Sequence, residues 1–316
     1  MPAPIPVILG PTASGKTSVG ILLARELNAE IISIDSRKVY RGLPVGTATP
    51  PGKWTAGTYV VDGIAHHLIA HLAPDVPYTA GDFAHDAERL IGEIRRRGKT
   101  PLFVGGTGFY FKALQLGLPP LPTRDPKIRA ELEARMTEEG GIALHAELTA
   151  KDPAAGESID PADRHKIIRA LEVIRLTGRP FSAALESAPV VSPHLFAVMG
   201  LDFPKPVLDQ RIETRAERMF EGGMIDEAAK LLDQGYSPFC PALASFGYRE
   251  AVAVARGKMP REEFVPALIK GTKAYAKRQR TWFRTQVKPS WFMCDQQSRK
   301  EEISMRMKAF FQALPA

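Results

Sequence analysis

Residues Gly10, Pro11, Thr12, Ala13, Ser14, Gly15, Lys16 and Thr17 fit the spacing G-x-x-x-x-G-K-[ST]. Glycines at those positions let the backbone curl so that successive N–H groups face one concavity at a helix N-terminus, where an anion is favoured. A lysine then reaches the terminal phosphates, and the Thr17 hydroxyl is available to Mg²⁺. The pattern points to phosphate or diphosphate binding and does not by itself specify a nucleoside triphosphate. The next acid, Asp35, closes the apolar run Ile31–Ile34. Neighbouring strand ends of a parallel sheet open onto one crevice, so its carboxylate can face the phosphate loop as a metal-linked acid or a general base. Capping a turn is the structural alternative. The run Leu102–Val104 ends in Gly105-Gly106-Thr107, with no acid of the kind a P-loop ATPase uses to hold Mg²⁺.

A second chemistry-bearing segment is basic. Between Gly257 and Lys288 nine Lys and Arg residues stand against Glu262 and Glu263, so this stretch carries the whole net charge of +7. The text from Glu262 to Gln286 is helix-compatible, and Lys270, Lys273, Lys277, Arg280 and Arg284 recur at spacings of 3 and 4. They would form one face about 20 Å long at roughly 1.5 Å per residue. Like charges so spaced destabilise a helix unless something neutralises them, and phosphates are the natural partner. Phe264, Leu268, Tyr275 and Trp282 are expected to anchor the opposite face. Arg211, Arg215 and Arg218 recur at helical spacing, so one of them could reach the phosphate loop. Arg164, His165, Lys166 and Arg169 cluster elsewhere. Adjacent His66 and His67 point different ways and read as structural.

These residues need a scaffold. Strands are expected at Pro6–Leu9, Glu30–Ile34 and Pro101–Val104, and helices at Thr17–Leu27 and Gly81–Arg97, the latter with Phe83, Ala87, Leu90 and Ile94 on one face. Strands alternating with helices imply right-handed crossovers and a parallel sheet. Four prolines between Leu116 and Pro126 break the pattern, and Ser187–Pro193 breaks it again. The expected organisation is an α/β core over 1–117 and 194–316, with a mostly helical insertion over 118–193. A further strand is expected at His194–Leu201 and a last one at Trp291–Cys294. With 316 residues, 44% hydrophobic and 24% charged, the chain has the composition of an ordinary globular protein. It lacks the run of about 18 apolar residues that a membrane span needs. The start MPAPIPVILG lacks a signal-peptide pattern. Cys240 and Cys294 can build neither a zinc site nor a disulfide scaffold. A cytoplasmic monomer is expected.

The segments GPTASGKT, DSRKVYRGLPVGTATP from Asp35, HHLI at His66 and GGTGFYFKAL from Gly105 resemble the tRNA dimethylallyltransferases. So do RALEVIRLTGRP from Arg169, SFGYRE from Ser245 and KRQRTWFR from Lys277. The resemblance spans nearly the whole chain in order and is closest to the bacterial type. It departs at Arg37-Lys38, where the family more often has a small or apolar residue followed by Gln or Leu. It implies a P-loop NTPase-like fold and transfer of a dimethylallyl group from dimethylallyl diphosphate to the exocyclic N6 of the adenosine 3′-adjacent to the anticodon. The substrates would be tRNAs reading codons that begin with U. By the same resemblance Lys16, Thr17-bound Mg²⁺ and Arg215 stabilise the leaving diphosphate, and Asp35 takes the N6 proton. The base must leave its stack to react.

Carried over by position, tRNA contact falls on Asp35, Ser36, Arg37, Lys38, Thr107 and Arg129. It continues on His165, Lys166, Ile167, Ile168 and Arg169, and then on Ala244, Ser245, Phe246, Gly247, Tyr248 and Arg249. The last group is Lys277, Arg278, Gln279, Arg280, Thr281, Trp282, Phe283 and Arg284. The insertion would grip the anticodon stem-loop, with Phe246, Tyr248 and Trp282 as planar surfaces for bases. Two rivals predict other outcomes. A P-loop small-molecule or nucleoside kinase would bind ATP and leave the basic helix without a purpose. A non-catalytic RNA-binding module would have no turnover to lose on Asp35→Ala.

Overall fold

The computed structural model describes residues 3–186, 191–295 and 297–313. It contains one eight-stranded sheet. The strands are β1 (Ile5–Leu9), β2 (Ala29–Ile34), β3 (Lys53–Thr55), β4 (Thr58–Val61), β5 (Ile64–His67), β6 (Thr100–Gly105), β7 (Phe196–Asp202) and β8 (Ser290–Met293). Their order is β3-β4-β5-β2-β6-β1-β7-β8. From β5 to β8 every neighbouring pair is parallel, while β3 and β4 add an antiparallel edge. The order and covering helices make this a P-loop NTPase-like α/β core. The antiparallel edge has no counterpart in the strands expected from sequence. Its two strands and the neighbouring β5 are short and carry weak apolar runs, and they join the sheet only through the pairing of β5 with β2.

Every residue of β1 and β2 is buried, as strands covered on both faces must be. Each large apolar side chain so removed from water contributes about 1.5–3 kcal/mol. Helix Lys16–Glu26 packs on the sheet and on helix Lys300–Gln312. Helix Ala80–Arg96 starts with a reciprocal cap between Thr79 and Asp82 and buries Phe83, Ala87, Leu90, Ile91 and Ile94. Glu30 is buried in β2, where burial alone would raise its pKa. Hydrogen bonds from Arg97 and His67 outweigh that and hold it down to about 2, so His67 is structural. Among the described residues no helix is long and apolar enough to cross a membrane.

The chain divides into two compact units, 1–115 with 192–316, and 116–191. The expected break at Ser187–Pro193 lies partly outside the described residues, at 187–190. Taken by itself, the 116–191 unit is helical: Pro126–Glu138, Gly140–Lys151, Pro153–Ser158, Arg164–Thr177 and Phe181–Leu185. Its own core gathers Leu132, Met136, Leu144, Leu148, Ile167, Ile168 and Leu171. Within that unit Glu172 is fully buried. It accepts from Arg169 (2.7 Å) and from the Asp125 N–H (3.0 Å), with Arg129 3.9 Å away.

Candidate active site

The parallel register puts Leu9, Ile34 and Gly105 at one edge of the sheet, because Ile8 pairs with Val104 and Ile34 with Gly105. Three loops therefore share a crevice: the phosphate loop after β1, the Asp35 turn after β2 and Gly105–Thr107 after β6. Gly10 has φ 153°, and a Cβ there would lie 2.2 Å from the Leu201 carbonyl of β7, so only glycine lets the loop leave the sheet here. Gly15 leads into helix Lys16–Glu26, which has no acid in its first turn and no side-chain cap. Its first N–H groups are thus available to an anion. Ser14 is buried inside the loop.

Cations crowd this loop. Lys16 Nζ donates to the Pro11 carbonyl (2.6 Å) and to Ser14 Oγ (3.3 Å). Lys38 Nζ donates to Thr17 Oγ1 at 3.4 Å. Arg215 Nη1 donates to Thr12 Oγ1 (3.1 Å), and Arg211 Nε to the Ala13 carbonyl (2.8 Å). Burial, then the charges of Lys38 and Arg215, lower the Lys16 ammonium to about 7. Burial likewise lowers Lys38 and Arg215. Such a cluster favours an anion, whose negative charge would stabilise the protonated forms again. Of the three arginines at helical spacing, Arg211 and Arg215 reach the loop. Arg211 was legible only as a member of that triplet.

Asp35 Oδ1 accepts from the N–H groups of Arg37 (2.9 Å) and Lys38 (3.3 Å). It does cap a turn, and among the described residues no hydrogen bond falls on Oδ2. The turn is held to the β6 loop, since the Ser36 N–H donates to Thr107 Oγ1 (3.1 Å). The Gly106 and Thr107 N–H groups also both donate to the Ile34 carbonyl. Thr107 is thereby engaged within the protein. Tyr275, expected as a core anchor, is 39% exposed. Its ring lies under Arg278 and its phenol beside Gln279, which sets it outside the core that sequence reasoning gave it.

Thr17 supplies the hard oxygen that Mg²⁺ prefers. Among the described residues no group of three His, Cys, Asp or Glu side chains forms a metal cage. A Mg²⁺ at this single hydroxyl would draw its other oxygens from outside the protein, and Lys38 competes as a cation at the same hydroxyl.

The basic stripe divides on inspection. Helix Phe264–Trp282 runs on into a π-turn at Phe283–Val287. Lys273 pairs with Glu213 (2.6 Å), and Arg280 pairs with buried Asp202 (2.7 Å). Neither is an open phosphate contact. Lys270, Lys277, Arg278, Thr281 and Arg284 are exposed, Arg278 lying over Tyr275 and Arg284 over Trp291. Gln279 and Phe283 are buried. Trp282 is half-buried, packed where a Cβ on Gly108 would come within 2.2 Å of its ring, with Phe109 and Lys112 against it.

Other expected RNA contacts divide the same way. Ile167 and Ile168 are buried in the insertion's core, and Arg169 is committed to Glu172 and the Pro122 carbonyl. Arg129 pairs with Glu133. His165 and Lys166 stay exposed. In the SFGYRE segment, Ser245, Gly247 and Tyr248 are buried, and the Tyr248 hydroxyl donates to Glu227 Oε2 (2.7 Å). That rules it out as a stacking platform, because its ring has no open face. Ala244, Phe246 and Arg249 face outward, as does Arg37, which also donates to the Pro241 carbonyl.

Sequence comparison finds two family models, IPP transferase over residues 38–286 and isopentenyl transferase over 3–61. A tRNA dimethylallyltransferase of Geobacter sulfurreducens is 41% identical over 286 residues, 90% of each chain. One of Moorella thermoacetica is 40% identical over 311 residues, 97% of this chain and 94% of its own. Among solved structures, the full-length tRNA isopentenylpyrophosphate transferase of Bacillus halodurans is 37% identical. It superposes with a TM-score of 0.70 over 98% of this chain and 96% of its own. A eukaryotic dimethylallyltransferase acting on tRNA is 25% identical, with a TM-score of 0.75 over 93% of this chain and 74% of its own.

Proposed function

The chain belongs to the IPP transferase family and transfers a dimethylallyl group to tRNA, and from that premise we propose how its crevice does so. The donor is dimethylallyl diphosphate, with its diphosphate in the loop Gly10–Thr17. The acceptor is the exocyclic N6 of the adenosine 3′-adjacent to the anticodon, extruded toward Asp35. As N6 attacks the allylic carbon, an N–C bond forms and the C–O bond to diphosphate breaks. The electron pair leaves with the diphosphate, and the N6 proton passes to Asp35 Oδ2. An adenine amine is a poor nucleophile because its lone pair is delocalised, so removing that proton as the bond forms matters.

Lys16, Arg215, Arg211 and Lys38 stabilise the charge that grows on the leaving group. Mg²⁺, held by Thr17 and the diphosphate, would add charge stabilisation of the same kind. The observation that carries the reading is the convergence of four cations on one phosphate loop, with the open oxygen of Asp35 across the same crevice. A kinase is disfavoured, since Gly105-Gly106-Thr107 stands where an ATPase keeps its metal-holding acid. RNA contact is assigned to Ser36, Arg37, Ala244, Phe246, Arg249, Lys277, Arg278, Thr281 and Arg284. Within the insertion it is assigned to His165 and Lys166. Action on cytoplasmic tRNA fits this reading.

The test is transfer of labelled dimethylallyl from its diphosphate to unmodified tRNA, with ATP as a control. Asp35→Ala should lower the single-turnover rate by about 10²–10⁴ while tRNA affinity holds. Consumption of ATP without transfer would instead make the protein a kinase.

A further inference from the structure

Gln279 lies on the basic helix between exposed Arg278 and Asp202-bound Arg280, and it is buried, with the Tyr275 phenol beside it. Its Oε1 accepts from the Thr12 N–H of the phosphate loop at 2.8 Å. Its Nε2 donates to the Gly106 carbonyl of the β6 loop, also at 2.8 Å. A donor on one side and an acceptor on the other fix the orientation of the carboxamide. The fit is close: a Cβ on Gly106 would stand 2.7 Å from Gln279 Nε2 and 3.4 Å from the Gly10 carbonyl.

The sheet order gives this contact its meaning. The phosphate loop follows β1 and the Asp35 turn follows β2, with β6 between them. The β6 loop is already tied to the Asp35 turn through Ser36, Thr107 and the Ile34 carbonyl. Gln279 spans the remaining gap, from the β6 loop to Thr12. Thr12 is held a second time through its hydroxyl by Arg215. Next along the helix, Arg280 fixes the register by its pairing with Asp202 at the end of β7.

We propose that Gln279 is a positioning residue that sets the distance between the diphosphate loop and the Asp35 turn, and so between the allylic carbon and the attacking amine. The proposal rests on the functional reading above, because it assigns the two loops to the two substrates. A displacement of about 1 Å between reacting atoms can cost on the order of 10²-fold in rate. Gln279 acts through Thr12 and Gly106 and touches neither substrate.

The experiment compares the full-length wild type with Gln279→Met, which keeps the length and loses both hydrogen bonds. Gln279→Glu, which keeps the acceptor for Thr12, is the second variant. Single-turnover transfer, tRNA affinity, inorganic diphosphate affinity and unfolding temperature are read for each. Expected for Gln279→Met is a loss of about 10- to 100-fold in rate, with both affinities within about threefold and the unfolding temperature within a few degrees. Diphosphate released per tRNA modified should also rise above the wild-type ratio, as water attacks a donor held out of line with the amine. Gln279→Glu should fall between the two, and it carries the same comparison if Gln279→Met does not fold. An unchanged rate would overturn the proposal, as would a fall in tRNA affinity that matches the fall in rate. A parallel loss of rate, both affinities and unfolding temperature would overturn it too. Absence of transfer by the wild type would instead overturn the functional reading.

Discussion

Lys16 sits under two opposing demands. The loop brings it against the Pro11 carbonyl, out of water and beside Lys38 and Arg215, which lowers it to about 7. A bound diphosphate reverses the balance, because negative charge favours the ammonium. The group is therefore partly neutral in the free protein above pH 7 and charged in the complex, so binding takes up a proton and affinity falls as pH rises through that window. Calorimetry of inorganic diphosphate binding at pH 8, in buffers of differing ionisation enthalpy, should show up to about one proton more taken up by the wild type than by Lys16→Met. Equal uptake would mean that Lys16 is already charged in the empty loop. Lys16, Thr17 and Asp35 were legible in the sequence because a contiguous motif and a strand end define them. Lys38 at the Thr17 hydroxyl was not, since nothing in the spacing says which way its long side chain turns.

At the scale of the element, the basic helix is two devices on one cylinder. Arg280, together with Gln279 and Lys273, fastens it to β7, the phosphate loop and helix Lys205–Glu221. Lys277, Arg278 and Arg284 remain on the outside. Lys277→Ala, Arg278→Ala and Arg284→Ala should each weaken tRNA binding and lower the slope of log affinity against log salt by up to about 0.9 per lost phosphate contact. Arg280→Ala should behave differently, because it strands buried Asp202. About 3–5 kcal/mol of stability is expected to go, visible as a fall in unfolding temperature with the salt slope unchanged. A slope change there would show that Arg280 meets RNA after all. The helical period in the sequence found the stripe, but spacing cannot tell a charge aimed at solvent from one aimed at a buried carboxylate.

At the scale of the molecule, the helical unit carries its own polar hub at Glu172, where Arg169 and the Asp125 N–H meet a fully buried carboxylate. Removing it leaves those donors unsatisfied, so Glu172→Ala should cost this unit about 3–5 kcal/mol. Amide exchange should then speed up along Arg164–Thr177 while β1 and β6 stay protected and diphosphate still binds. Equal loss of protection in both units would mean that they unfold together. The sequence by itself determined the parallel core, the phosphate loop and the acid at the next strand end. Short-range sterics fix a glycine-rich turn, apolar runs fix buried strands, and a parallel register brings their ends level. Only the tertiary structure decided that Gln279 reaches Thr12, 267 residues away in the chain, or that Ile167, Ile168, Tyr248 and Phe283 are core. Those outcomes depend on which surface packs against each helix face, and a surface assembled from distant segments exists only once the chain has folded.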